Sequence, residues 1–154
     1  MPQKVTPRIM GPREYPERPV LGVGGVVIAQ GLALLVRRAN PPLEGEWSIP
    51  GGMLEVGETL VEGVRRELAE ETGIEVRVHG VIEVFERISL DAAGKAEYHY
   101  VVLDHYCEVI RGEAKPSSDV TEVAWVSEAD LEKHSLTPSA AQVIRKAFQI
   151  ARER

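Results

Sequence analysis

Glu67, Glu70 and Glu71 are the residues of this chain whose type and spacing best suit chemistry. Separated by three and four positions, they project from a common side of a helix. Three carboxylates held that close repel one another unless a cation sits between them, and hard oxygen ligands of this kind suit Mg²⁺, with Mn²⁺ as a substitute. Arg66 lies among the acids, four residues before Glu70 and eight after Glu58, placed to pair with either and hold a loop onto the helix. Gly51 and Gly52 precede the helix, where their missing side chains let the backbone approach a ligand and a carbonyl complete a cation's coordination. A solvated Glu-rich face is the bland alternative, but such a face needs neither the paired glycines nor an arginine set among the acids.

The helix that must carry these groups is expected over Thr59–Thr72. Leu60, Val64 and Leu68 recur every fourth residue, Val61 and Ala69 widen the apolar stripe, and Gly73 supplies a left-handed stop. Glu55 and Glu62 read as ordinary surface charge, and Glu58 as a partner of Arg66 or a ligand.

Gly52, Glu58, Arg66-Glu67-Leu68, Glu70-Glu71 and Gly73-Ile74 are nine fixed points at set spacing, and in them the chain resembles the signature box of the Nudix hydrolases. The resemblance implies an α/β fold: an α/β/α sandwich around a mixed β-sheet, with the box as a loop–helix–loop catalytic motif. It implies Glu67 and Glu71 as the main metal ligands, the Gly51 carbonyl as another, and Glu70 as a further ligand or the group that orients water. The implied reaction is hydrolysis of a nucleoside diphosphate linked to another moiety. The base in some members comes from the box and in others from a later loop, where this chain has Asp119, with Glu122 in reserve. Length, the strand ending in Arg37-Arg38 and the late acidic loop are most like the ADP-ribose pyrophosphatase-type members, which also suggests a homodimer. Many of those members carry a proline some fifteen residues past the box, and Ser89-Leu90-Asp91 departs from that. Nucleoside triphosphates and nucleotide sugars are therefore kept as alternatives, and a nucleotide-binding sensor domain as the non-enzymatic one.

At 154 residues the chain suits a single domain with one sizeable core. Eighteen basic against 24 acidic residues leave a net charge of −6, without the basic excess that a nucleic acid duplex requires. Arg37 and Arg38 leave a strand for the active loop and are the candidates to meet substrate phosphates, with at least one facing them, together with Gly52. No apolar run is long enough for a membrane helix, and the lone Cys107 in an apolar stretch reads as a buried thiol, so a cytoplasmic protein is expected.

Taken in order, residues 1–18 carry four prolines and read as an extended arm, with residues 19–154 as the domain. Val20–Ala29 and Leu32–Arg37 flank a Gln30-Gly31 hairpin turn. A loop through Trp47, read as packing rather than base-stacking, leads to the glycines. Strands are expected at Glu75–Ile88, Glu97–Ile110 and Thr121–Val126, with Ser89–Lys95 as a turn and Arg111–Ser118 as a polar loop. Tyr98 and Tyr100 share one face, read as core. A short helix follows from Glu128, capped by Ser127, and an amphipathic helix spans Pro138–Arg152.

Overall fold

The computed structural model describes residues 13–41 and 43–154, so most of the expected arm lies outside the described residues. Its last part folds back on the domain: the Tyr15 N–H donates to the Glu97 carbonyl at 2.7 Å, and its hydroxyl to Asp91 at 2.8 Å.

Strand β1 (Val20–Ala29) joins everything else. One edge pairs in parallel with β6 (Ala96–Arg111), from Val20 opposite Tyr100 to Val27 opposite Cys107. The other edge is shared. Gly22–Gly24 pair with β4 (Gly51–Met53), and Ile28–Ala29 pair with β2 (Leu32–Arg38) across the expected turn. Strand β2 in turn carries β3 (Trp47–Ser48) and β7 (Val120–Ser127), while β5 (Glu75–Leu90) closes the far side against β6. A parallel β1–β6 pair requires a long crossover, and helix α1 (Leu60–Thr72) with β5 supplies it. Helix α2 (Pro138–Glu153) covers the opposite face.

Two apolar clusters make the sandwich. Val23, Val27, Leu34 and Cys107 of the sheet meet Val64 and Leu68 of α1. Val26, Ile28, Leu35 and Tyr106 meet Val143, Ile144, Ala147 and Phe148 of α2. The alternation along β1, odd residues to one helix and even to the other, is the two-residue period of a strand buried on both faces.

Several expectations need correction. Helix α1 does not bury Val61 or Ala69: Val61 is 44% exposed, and the inward face instead holds Gly63, Val64, Leu68, Glu71 and Thr72. The helix is therefore rolled toward its acids. Glu62 is no idle surface charge. It is the third residue of a capping box, accepting from the Thr59 N–H at 2.8 Å while Thr59 Oγ1 accepts from its own N–H. The active loop contains strands β3 and β4, which are too short to show a period. Strands β5 and β6 run on to Leu90 and Ala96, leaving a tighter hairpin turn than Ser89–Lys95, and the piece after Ser127 is a 3-10 turn, Glu128–Lys133. Tyr98 and Tyr100 stack on each other at 6.2 Å outside both apolar clusters, so they are not core. Trp47 does pack, edge-on to His134 at 5.2 Å and against the α2-side cluster. No helix among the described residues is long and apolar enough to cross a membrane.

Gly25 sets how closely α1 approaches the sheet. A Cβ there would lie 3.0 Å from Leu68, Val64 and Cys107 alike. Gly25→Ala is expected to destabilise the fold by about 1–3 kcal/mol, the usual cost of overpacking, read as a lower urea midpoint at unchanged slope. An unchanged midpoint would mean that α1 is free to recede.

Candidate active site

Arg66 is the hub of the site. Its Nε and Nη2 grip Glu58 at 2.5 and 2.9 Å, its Nη1 reaches Glu67 at 2.8 Å and Glu70 at 3.1 Å, and Nη2 also donates to the Met53 carbonyl at 2.9 Å. The loop before α1 is thereby tied to the helix. The two-pronged grip holds the Glu58 carboxyl down to about 2 and raises the guanidinium in turn. Glu58 is thus engaged as the arginine's partner.

Glu71 is 2% exposed. One oxygen accepts the Gly51 N–H at 3.0 Å, and the other accepts Arg38 Nη1 at 2.6 Å. Arg38 also donates to the carbonyls of Ile49 (2.7 Å) and Gly51 (3.2 Å) and, through Nε, to Ser48 Oγ at 3.0 Å. Glu67 lies against Gly52, where a Cβ would come within 2.5 Å of its carboxylate, so only glycine leaves room for it. Glu70, half exposed, stands at the rim.

Asp119 reaches the site because its loop is strapped over the end of α1. The Lys115 and Ser117 N–H groups donate to the carbonyls of Thr72 (2.9 Å) and Glu71 (3.0 Å), and the Asp119 carbonyl accepts from the Ala39 N–H at 3.0 Å. Glu67, Glu70, Glu71, Arg66, Arg38 and Asp119 all line one cleft of about 690 Å³, within the range of small-molecule sites.

Arg37 and Glu122 are not part of that lining, which removes the first as a phosphate contact and the second as a base in this arrangement. They are cross-strand partners on β2 and β7 and form an exposed ion pair at 2.8 Å, with Arg37 also donating to the Gly45 carbonyl. The strand's alternation, with a register shift between Arg37 and Arg38, sends only the second inward. Sequence reasoning missed Asp104, which lines the same cleft from β6. Its signal was a charge set in the apolar run VVLDHYC.

The cleft's charge balance suits a cation. Burial first of all lifts Glu71 to about 7 and raises Glu67, and Asp119 adds to both shifts. Arg38 already places positive charge between Glu71 and the Gly51 carbonyl. Among the described residues no three acidic, histidine or cysteine side chains converge as a ready chelate. A divalent ion held by Glu67, Glu71 and the Gly51 carbonyl thus requires Arg38 and Arg66 to yield part of their hold.

The raised Glu71 value has a signed consequence. A carboxyl that ionises near 4.5 when unfolded and near 7 when folded stabilises the fold most while protonated. That stability is lost as pH rises through the window between the two values. The metal-free protein is therefore expected to melt at higher temperature at pH 5.5 than at pH 8. Glu71→Gln should shrink that difference, whereas groups with lowered values, such as Glu58, act only below about 4.5. Millimolar Mg²⁺ should raise the melting temperature at pH 8 in the parent and not in Glu71→Gln. A pH difference as large in the variant as in the parent would exclude Glu71 as its source.

Residues 18–147 match the family model of the NUDIX domain. Over 115 residues the chain is 33% identical to an ADP-ribose pyrophosphatase of Methanocaldococcus jannaschii, an alignment spanning 75% of this chain and 66% of that protein. The fold superposes on a MutT NUDIX hydrolase of Burkholderia pseudomallei with a TM-score of 0.74 at 27% identity, covering 84% of this chain and 98% of the other. It also matches the NUDIX domain of Shewanella oneidensis NrtR, solved with ADP ribose, at a TM-score of 0.69 and 26% identity over 88% and 90% of the two chains. With the acids of α1, the braced glycine turn and the sandwich that positions them, this chain belongs to the Nudix hydrolase family.

Proposed function

We propose that this protein hydrolyses the pyrophosphate bond of a nucleoside diphosphate joined to a second moiety, with ADP-ribose as substrate and AMP and ribose 5-phosphate as products. The observation that carries the reading is the convergence of Glu67, Glu71 and the Gly51 backbone on one cleft, with Asp119 held over the same opening. The choice of ADP-ribose is supported by the name of the archaeal relative and by the ligand in the Shewanella structure.

Glu67, Glu71 and the Gly51 carbonyl are assigned to hold Mg²⁺, or Mn²⁺ in its place, with Glu70 as further ligand. Such an ion supplies neutralisation of phosphate oxygens and a water acidic enough to ionise near neutral pH. The chain's own residues do the rest. Arg66 holds Glu67 and Glu70 in position through its tie to Glu58 and the Met53 carbonyl. Arg38, at the centre of the site, can share its guanidinium between Glu71 and a phosphate oxygen. Gly52 keeps the backbone low enough for substrate to reach the carboxylates. Asp119 accepts the proton as water attacks phosphorus. A new phosphorus–oxygen bond forms, the bridging bond breaks, and two monophosphates leave.

The test is a screen with Mg²⁺ over ADP-ribose, nucleoside triphosphates, nucleotide sugars and dinucleoside polyphosphates, with a coupled phosphatase revealing the monophosphate products. ADP-ribose is expected to be turned over fastest, and a different best class would replace it. Asp119→Ala should lower the rate by ~10²-fold or more, and a near-normal rate would return the base to Glu70. Glu71→Gln should abolish turnover, and an active variant would remove Glu71 from the metal site.

A further inference from the structure

Asp104 sits in the middle of β6, 7% exposed. Among the described residues its carboxyl makes no hydrogen bond and no ion pair, although it lines the cleft. The nearby charges are otherwise engaged. Glu83 on β5 pairs with Lys146 of α2, and Glu83 adds to the burial that raises the Asp104 carboxyl to about 7. A buried polar group without a partner costs roughly 1–3 kcal/mol, so a carboxyl kept there needs a ligand to offset its burial.

The surroundings describe that ligand. Asp104 stands opposite Gly24 of β1, and a Cβ on Gly24 would collide with the Asp104 carboxylate. Gly24 is in turn opposite Gly51 of β4. Asp104 is thus two strands away, roughly 10 Å, from the turn that faces the metal site, comparable to the reach of a nucleotide from its phosphate to the far edge of its base. Between and beside them the same wall of the cleft carries Tyr100, Val102 and Phe85, and the start of α2 closes it with Thr137 and Ser139. An apolar and aromatic wall holding a buried carboxyl, and edged by Arg87, Thr137 and Ser139, fits a flat heterocycle with a hydrogen-bonding edge.

We propose that Asp104 is a specificity-determining residue that hydrogen-bonds the amino-bearing edge of an adenine base, its carbonyl oxygen accepting from the exocyclic amine and its hydroxyl donating to the neighbouring ring nitrogen. The inference rests on the nucleotide reading of the cleft and adds to it the residue that contacts the base. The pairing uses one donor and one acceptor, the same pair an asparagine amide offers to adenine. A purine without the exocyclic amine leaves the carbonyl oxygen of Asp104 unmatched, so the same geometry disfavours it.

The experiment measures dissociation constants for AMP and purine riboside 5′-monophosphate, which lacks the amine, by titration calorimetry, alongside Mg²⁺-dependent hydrolysis of ADP-ribose and its amine-free counterpart. The parent should prefer AMP. Asp104→Leu should weaken AMP roughly 10- to 100-fold while weakening the amine-free nucleotide less, and Asp104→Asn should restore most of the AMP affinity. The Leu variant should melt no lower than the parent, because it removes an unpartnered buried carboxyl. Equal loss for AMP and the amine-free nucleotide, or a markedly lower melting temperature, would make Asp104 structural and overturn the proposal. Hydrolysis that is indifferent to the base would overturn the proposal alone. A parent that binds neither nucleotide and hydrolyses nothing would instead overturn the nucleotide reading on which it rests.

Discussion

The structure depends on keeping four glutamates in one small, partly dry region. Arg66 and Arg38 make this possible in different ways. Arg66 spans loop and helix, and its hydrogen bonds tie Glu58, Glu67, Glu70 and the Met53 backbone to one rigid point. Arg38 comes from the sheet and takes Glu71, the most deeply buried of the acids. The division has a physical consequence. Glu58 is held well below the usual carboxylate range by a two-pronged grip, whereas burial outweighs the single Arg38 contact at Glu71 and pushes it up to about 7. One acid is tied into the architecture, and another is left buried and hard to ionise.

The glycines of β1 are the complementary constraint. Gly25 lets α1 lie close enough for Val64 and Leu68 to pack, and Gly24 leaves room for the Asp104 carboxyl. Because β4 pairs with Gly22–Gly24, the strand that brings Gly51 and Gly52 to the acids is also bonded to the strand that floors the cleft. The site's two ends, one acidic and one largely apolar, therefore sit on one continuous piece of sheet. Parallel pairing of β1 with β6 contributes to this, since it obliges α1 to cross over and present its acidic side to the cleft's opening.

The local features were legible in the residues themselves. The helix over Leu60–Thr72, its Gly73 stop, the hairpin at Gln30-Gly31, the long strands and the amphipathic last helix follow from periodicity and turn chemistry that act within a few residues. Arg66 and Glu70 are four positions apart on one helix, so their contact follows from helical geometry. Everything that depended on long separation was left to the tertiary structure. The roll of α1 that exposes Val61 and buries Glu71 is set by packing against β1. The pairing of Arg37 with Glu122 joins residues 85 positions apart. Tyr100 and Asp104 became part of the cleft's wall only because β6 is brought beside β1. A sequence specifies which faces are apolar and which groups carry charge; which of those charges lose water, and which partner each then finds, is decided only when distant strands are brought side by side.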